Sequence, residues 1–168
     1  DIFGFFADPE DWFVAEDAPG GPLRSLANPP QFGDPDKYSD FFNTDSDYGG
    51  VHTNSGIHNK AAYLLIAGGS HNGRTVQGIG IPKARRLFYE LLTGGVGPTT
   101  TLKGAASKAA GKALYWSTAG KFGFTKNDLC QVLNAYAAVE LGSGDNDCDG
   151  IPDSSDKDDD KDGVPDSV

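Results

Sequence analysis

Tyr48-Gly49-Gly50-Val51-His52-Thr53-Asn54-Ser55-Gly56-Ile57-His58-Asn59-Lys60-Ala61-Ala62-Tyr63 sets a histidine between a glycine pair and an amphipathic stretch. Adjacent glycines allow positive φ and close backbone approach, so His52 is expected on a tight turn. Asn54 or Ser55 can cap a helix over residues 54–67, which leaves His52 just outside it and facing a cleft or solvent. Gly68-Gly69 stops that helix, and Ile57, Tyr63 and Ile66 share one of its faces. A turn histidine that satisfies only local backbone groups is the alternative that one short motif leaves open.

Working outward, helical signals dominate the C-terminal side. Residues 82–93 carry Pro82 at a favoured first-turn position and end at Gly94-Gly95. Residues 103–117 form an alanine-rich helix. Residues 125–139 form another, opened by Thr125 with Asp128 three positions on, the pattern of a capping box. On the other side, residues 1–7 read as the end of a helix. Residues 8–53 form a long loop-rich segment, and loops of that length inside a compact domain are usually functional. Only 75–81 offers an extended candidate. The expected class is therefore mainly α, with a helical domain over 1–142 and an acidic tail over 143–168 that lacks regular secondary structure.

The charge is uneven. The net charge is −10, and residues 143–168 hold ten aspartates against two lysines, or −8, leaving −2 for residues 1–142. No basic stripe offsets this, so nucleic-acid binding is excluded as a main role. No apolar run reaches the ~18 residues a bilayer span needs. With no methionine and an abrupt start at Asp1, the sequence reads as a fragment or a processed piece. A disulfide between Cys130 and Cys148 suits an oxidising compartment and would contribute ~3 kcal/mol, with two free thiols as the alternative.

In the tail, Asp145-x-Asp147-x-Asp149-Gly150-x-Pro152-Asp153 recurs thirteen residues later as Asp158-x-Asp160-x-Asp162-Gly163-x-Pro165-Asp166. Alternating aspartates followed by glycine let a short loop wrap oxygens around calcium. The period and the Gly-x-Pro-Asp ending resemble thrombospondin type 3 repeats more than EF-hands, and that resemblance adds Asp156 as a further ligand. A solvated acidic linker is the alternative, because like charges repel and few apolar residues could fold the segment.

The opening run closely resembles the active-site histidine segment of thermolysin-like zinc metallopeptidases. Further runs resemble the same family in the same order: Pro22-Leu23-Arg24-Ser25-Leu26, Gly33-Asp34-Pro35-Asp36-Lys37-Tyr38, Gly78-Ile79-Gly80, Phe88-Tyr89 with Leu91-Leu92-Thr93, and Ala135-Tyr136-Ala137-Ala138-Val139. The resemblance covers about 140 residues and implies the family's C-terminal helical lobe. It implies that His52 donates to the oxyanion of the tetrahedral intermediate, and that Asp47 orients its ring and favours the protonated form. It gives Arg24 a substrate carbonyl to bind, a role suited to its planar fork. Leu23 and Val14 would line an apolar pocket for the side chain after the scissile bond. Asp1 would orient a zinc-bound histidine.

The family takes its zinc from a His-Glu-x-x-His helix and a later glutamate. None occurs here, where the only histidines are His52, His58 and His71. Zinc is thus expected only in a complete enzyme whose N-terminal lobe supplies the ligands, and the fragment alone is expected to be inactive. Asp11, Glu16 and Asp17 resemble the family's calcium loop, although a short connection from Phe6 and Phe13 at an often acidic position point to one ion rather than two. His58 and His71 receive no catalytic role, and His71 is expected on the surface. The expectation is a secreted, extracellular metalloendopeptidase part acting on peptides or proteins. A non-enzymatic calcium-binding adhesion or spacer module is the rival class.

Overall fold

The computed structural model describes residues 1–166; Ser167 and Val168, the end of the expected tail, lie outside the described residues. Five α-helices carry the fold: α1 (Ile2–Ala7), α2 (Asp47–Ala67), α3 (Gly80–Gly94), α4 (Leu102–Ala119) and α5 (Lys126–Ala138). Two small antiparallel ribbons join them, β1 (Phe13–Val14) with β2 (Arg24–Ser25), and β3 (Gly69–His71) with β4 (Arg74–Val76). The class is mainly α, as the periodicity predicts.

Helices α2 to α5 bury one continuous core, in which Ile57, Leu64, Leu65, Leu87, Val132 and Val139 are fully enclosed. At the front of this core Phe5 stacks on Trp12 with centroids 4.1 Å apart, and Trp12 meets the Tyr63 ring edge-on. Thr125 and Asp128 form the capping box of α5 as its sequence predicts. Asp128 does more than cap, because Lys83 of α3 reaches its carboxylate at 2.7 Å and so ties α3 to α5. Burial would raise the Asp128 carboxyl, but the bonds from Lys83 and Thr125 outweigh it and hold the group below the usual carboxylate range.

Four local expectations need correction. The glycine pair does kink the chain, with left-handed backbone at Tyr48, Gly49 and Gly50, but the helix resumes at once. His52 therefore sits in the first regular turn of α2, not outside it. Asn54 does not cap; it is buried, and its amide accepts from Phe42 N–H at 2.8 Å and donates to the Phe42 and Gly49 carbonyls, pinning the preceding loop to the helix. Extended structure begins before 75, since β3 and β4 form a hairpin turned by Asn72 and Gly73, both at positive φ. His71 is not a free surface residue: it lies in β3, half-buried, with Nε2 3.2 Å from the Asp36 carbonyl.

Gly56 decides how close the long N-terminal segment can lie. A Cβ at this position would stand 2.5 Å from the Pro35 carbonyl oxygen and 2.8 Å from the Asp34 Cβ. The 29–35 segment consequently packs directly on the α2 backbone, one turn beyond His52.

Candidate functional site

The kink in the first turn of α2 brings one pair together. With Asp47 itself at positive φ, its carboxylate folds back over the helix start. One oxygen accepts from the His52 backbone N–H at 2.9 Å, and the other lies 2.6 Å from His52 Nδ1. Asp47 therefore caps the first regular turn and fixes the imidazole with the same group. The two His52 bonds hold the Asp47 carboxyl below its ordinary range. The His52 ring is about three-quarters exposed, so its Nε2 edge is open to a ligand.

One turn along the same face stand Ser55 and Asn59. Both point at Asp1, whose Oδ2 accepts from Asn59 at 2.8 Å and from Ser55 Oγ at 3.3 Å. Arg24 approaches the other Asp1 oxygen at 3.6 Å and Asp34 at 3.7 Å. Burial raises the Asp34 carboxyl, and Arg24 acts against that rise. Arg24 lies in β2 opposite Val14 of β1, and Leu23 N–H donates to the Val14 carbonyl at 2.9 Å. The structure thus brings Arg24, Leu23 and Val14 onto one ribbon. Leu23 is exposed, while Val14 is half-buried against the core.

Ser55, Asn59 and Asp34 were missed from the sequence. The first two share a helical face with His52, a polar stripe at 52, 55 and 59 that a helix placed from Val51 would have shown. An adjoining cleft of about 540 Å³, which Ser55 also lines, opens between Tyr38, Phe41, Tyr48, His58 and Leu102. His58 lines it but is no catalytic group: its ring stands edge-on to Tyr136, and burial pushes its pKa down to about 4.

Among the described residues, the groupings able to hold a metal ion are three carboxylate clusters, and no histidine joins them. The first is Asp8, Glu16 and Asp17. Asp11, expected with the last two, is not in it: its Oδ1 accepts from Phe13 N–H two residues on, and Asp8 takes its place. The other two clusters are Asp145, Asp147, Asp149 and Asp158, Asp160, Asp162. Asp153, Asp156 and Asp166 stay outside these triads. Asp153 binds Arg74 at 2.7 Å and accepts from Asn146 N–H. Asp156 and Asp166 accept from the backbone of Asp158 and Asp159. Cys130 and Cys148 form a disulfide between α5 and the first of the tail loops. No helix among the described residues is long and apolar enough to cross a membrane.

Comparison with known proteins gives the family of the helical domain. Residues 1–141 match the family model described as the thermolysin metallopeptidase alpha-helical domain. Among curated relatives, bacillolysin of Brevibacillus brevis is 42% identical over 144 residues, covering 83% of this chain and 26% of the relative. Neutral protease B of Bacillus subtilis (strain 168) is 47% identical over 149 residues, covering 84% and 26%. Neutral protease NprE of Bacillus pumilus is 39% identical over 147 residues, covering 84% and 43%. The chain thus spans about a quarter of the length of the first two. It belongs to the thermolysin metallopeptidase family, whose alpha-helical domain it carries in residues 1–141.

Proposed function

We propose that this chain is the substrate-binding and oxyanion-stabilising part of a secreted zinc metalloendopeptidase, extended by calcium-binding repeats of the thrombospondin type 3 kind. The observation that carries the reading is the His52–Asp47 pair, with Nδ1 held at 2.6 Å and the opposite ring edge open. In the complete enzyme zinc would polarise the scissile carbonyl and activate a water. The chain's own residues do the rest of what can be assigned here. Asp47 fixes the imidazole so that a proton on Nε2 points outward to a developing oxyanion. Such fixed donors act at the transition state because they need no reorganisation there.

Arg24 binds a substrate carbonyl, steadied between Asp1 and Asp34, and Leu23 with Val14 offers an apolar wall. Asp1 fits an outer position beside the metal: Asn59 and Ser55 hold Oδ2, and Oδ1, with Arg24 at 3.6 Å, would also accept from a histidine supplied by the N-terminal lobe. The two tail loops fit calcium through their donor chemistry. Asp145 Oδ1 and Asp158 Oδ1 are buried without a hydrogen-bond partner among the described residues, the state of an oxygen set aside for a cation.

The test is peptide hydrolysis by the complete protein that contains this chain. His52→Ala should lower kcat by roughly 10²–10³-fold with little change in KM. The isolated 168-residue chain with added zinc should show no turnover. Wild-type kcat in His52→Ala would overturn the role of His52. An inert complete protein would favour the spacer module instead.

A further inference from the structure

The two aspartate loops are alike in their own backbone. Gly150 N–H donates to Asp145 Oδ2 at 3.1 Å, and Gly163 N–H donates to Asp158 Oδ2 at 3.2 Å. Asp149 donates to Asp147 as Asp162 donates to Asp160, and Ile151 to Asp149 as Val164 to Asp162. Their surroundings differ sharply. Asp145 is fully enclosed by the helical domain. Asn134 of α5 grips its backbone twice, accepting from its N–H at 2.9 Å and donating to its carbonyl at 2.8 Å. Cys148, between two of the loop's carboxylates, is bonded to Cys130 of α5. Asp153, just past the loop, pairs with Arg74 of β4. Gly144 admits this docking, since any Cβ there would run into the Arg74 guanidinium and the Asn134 side chain. The second loop has no disulfide or ion pair to the helical domain among the described residues: Lys161 reaches Asp147 of the first loop at 2.8 Å, and Asp159 only borders a small cavity beside Asn72, Gly73 and Arg74.

We infer that filling the first loop with a hard divalent cation stabilises the helical domain itself, whereas filling the second loop does not. The inference rests on the calcium reading of the tail and adds its consequence for the domain. The buried, unpartnered Asp145 Oδ1 is aimed into the first cluster and is the oxygen that needs the cation. The loop is held to α5 by a disulfide and to the β3–β4 hairpin by an ion pair, so unfolding the domain must disperse the cage. A cation that binds only the folded cage then shifts the folding equilibrium of the domain by mass action. Unfolding of the second loop leaves these anchors intact, so its cation has no such lever.

The two tryptophans make the test clean. Trp12 and Trp116 both lie in the helical domain, and the tail has no aromatic residue. Tryptophan fluorescence therefore follows the domain alone. The 168-residue chain, with its disulfide oxidised, is melted in EGTA and in CaCl2 at about a hundred times the Kd measured by calorimetry. Tm should rise by roughly 5–10 °C in wild type. Asp158→Asn should keep most of this rise and Asp145→Asn should lose it. Asp149→Asn serves in place of Asp145→Asn if the latter does not fold.

Calorimetric binding with no shift in Tm would overturn the coupling while leaving the calcium reading intact. Equal losses in the two loops would overturn their inequivalence. A rise retained by Asp145→Asn would assign the effect to Asp8, Glu16 and Asp17 and overturn the inference. Absence of calorimetric binding in wild type would remove the calcium reading and the inference together.

Discussion

Gly56→Ala sets two effects against each other at the helix that carries His52. In an exposed helix, alanine for glycine would stabilise by about 1 kcal/mol, because glycine loses more backbone entropy on folding. Here the new Cβ meets Pro35 O at 2.5 Å, Asp34 Cβ at 2.8 Å and Pro29 Cβ at 3.2 Å. Two of these are closer than a Cβ contact can be, and the nearest is a backbone atom that cannot rotate away. The 29–35 segment must move, and with two contacts this short the cost falls in the upper part of the overpacking range, about 2–3 kcal/mol. The clash wins, and the net loss is about 1–2 kcal/mol. Thermal melts followed by tryptophan fluorescence should show Tm lowered by about 2–8 °C. Because Asp34 moves with the segment and leans on Arg24, KM for peptide in the complete enzyme should rise more than kcat falls. An unchanged or raised Tm would refute the close-packing argument, since helix propensity alone predicts that sign.

Two further outcomes follow from charge. The His58 pKa falls from 6.5 to about 4 on folding, chiefly by burial. The depressed folded value means that the unfolded chain takes up the proton first, so stability is full above pH 6.5 and declines as pH falls toward 4, where it levels. Partial exposure of His58 at the adjoining cleft limits the loss to about 1–3 kcal/mol. Urea midpoints against pH should show this slope in wild type but not in His58→Leu, and parallel profiles would refute it. Lys161→Gln should tighten calcium binding at the first loop by roughly two- to fivefold, because an ammonium no longer competes for Asp147. Calorimetry showing equal or weaker affinity would count against that competition.

Much of the fold was legible because helices advertise themselves by period and punctuation. Thr125 with Asp128 marked the start of α5, and Gly68 and Gly94 marked ends within a residue or two. The β3–β4 hairpin escaped because its strands are three residues long and polar, although Asn72-Gly73 is a strong turn signal. His52 was misplaced for a different reason. The glycine pair suggests a break, but the Asp47 carboxylate caps across the break from outside, so regular helix starts three residues earlier than the Asn54 cap implied. That shift of register also hid Ser55 and Asn59. Asp34 could not be read at all: its approach to Arg24 depends on packing under Gly56, which is a tertiary fact.

The tail shows where sequence repetition stops being informative. A thirteen-residue period fixes local conformation, because the aspartate carboxylates bond the backbone two and five residues onward, and both loops obey it. It says nothing about what lies outside the loop. Asp145 and Asp158 are equivalent in the repeat, yet only the first is sealed against α5, by Asn134 and by a disulfide whose other half lies eighteen residues away in another element. A buried carboxylate costs far more than an exposed one unless a cation or donor meets it. Burial lifts the Asp145 carboxyl above its usual range, and the neighbouring Asp147 and Asp149 charges add to that. Two copies of one motif thus each keep a buried oxygen without a partner, yet they are unequally tied to the domain. The inequality comes from the partner surface, so a ligand-removal experiment that treats the loops as a pair would average away the one that is tied to the domain.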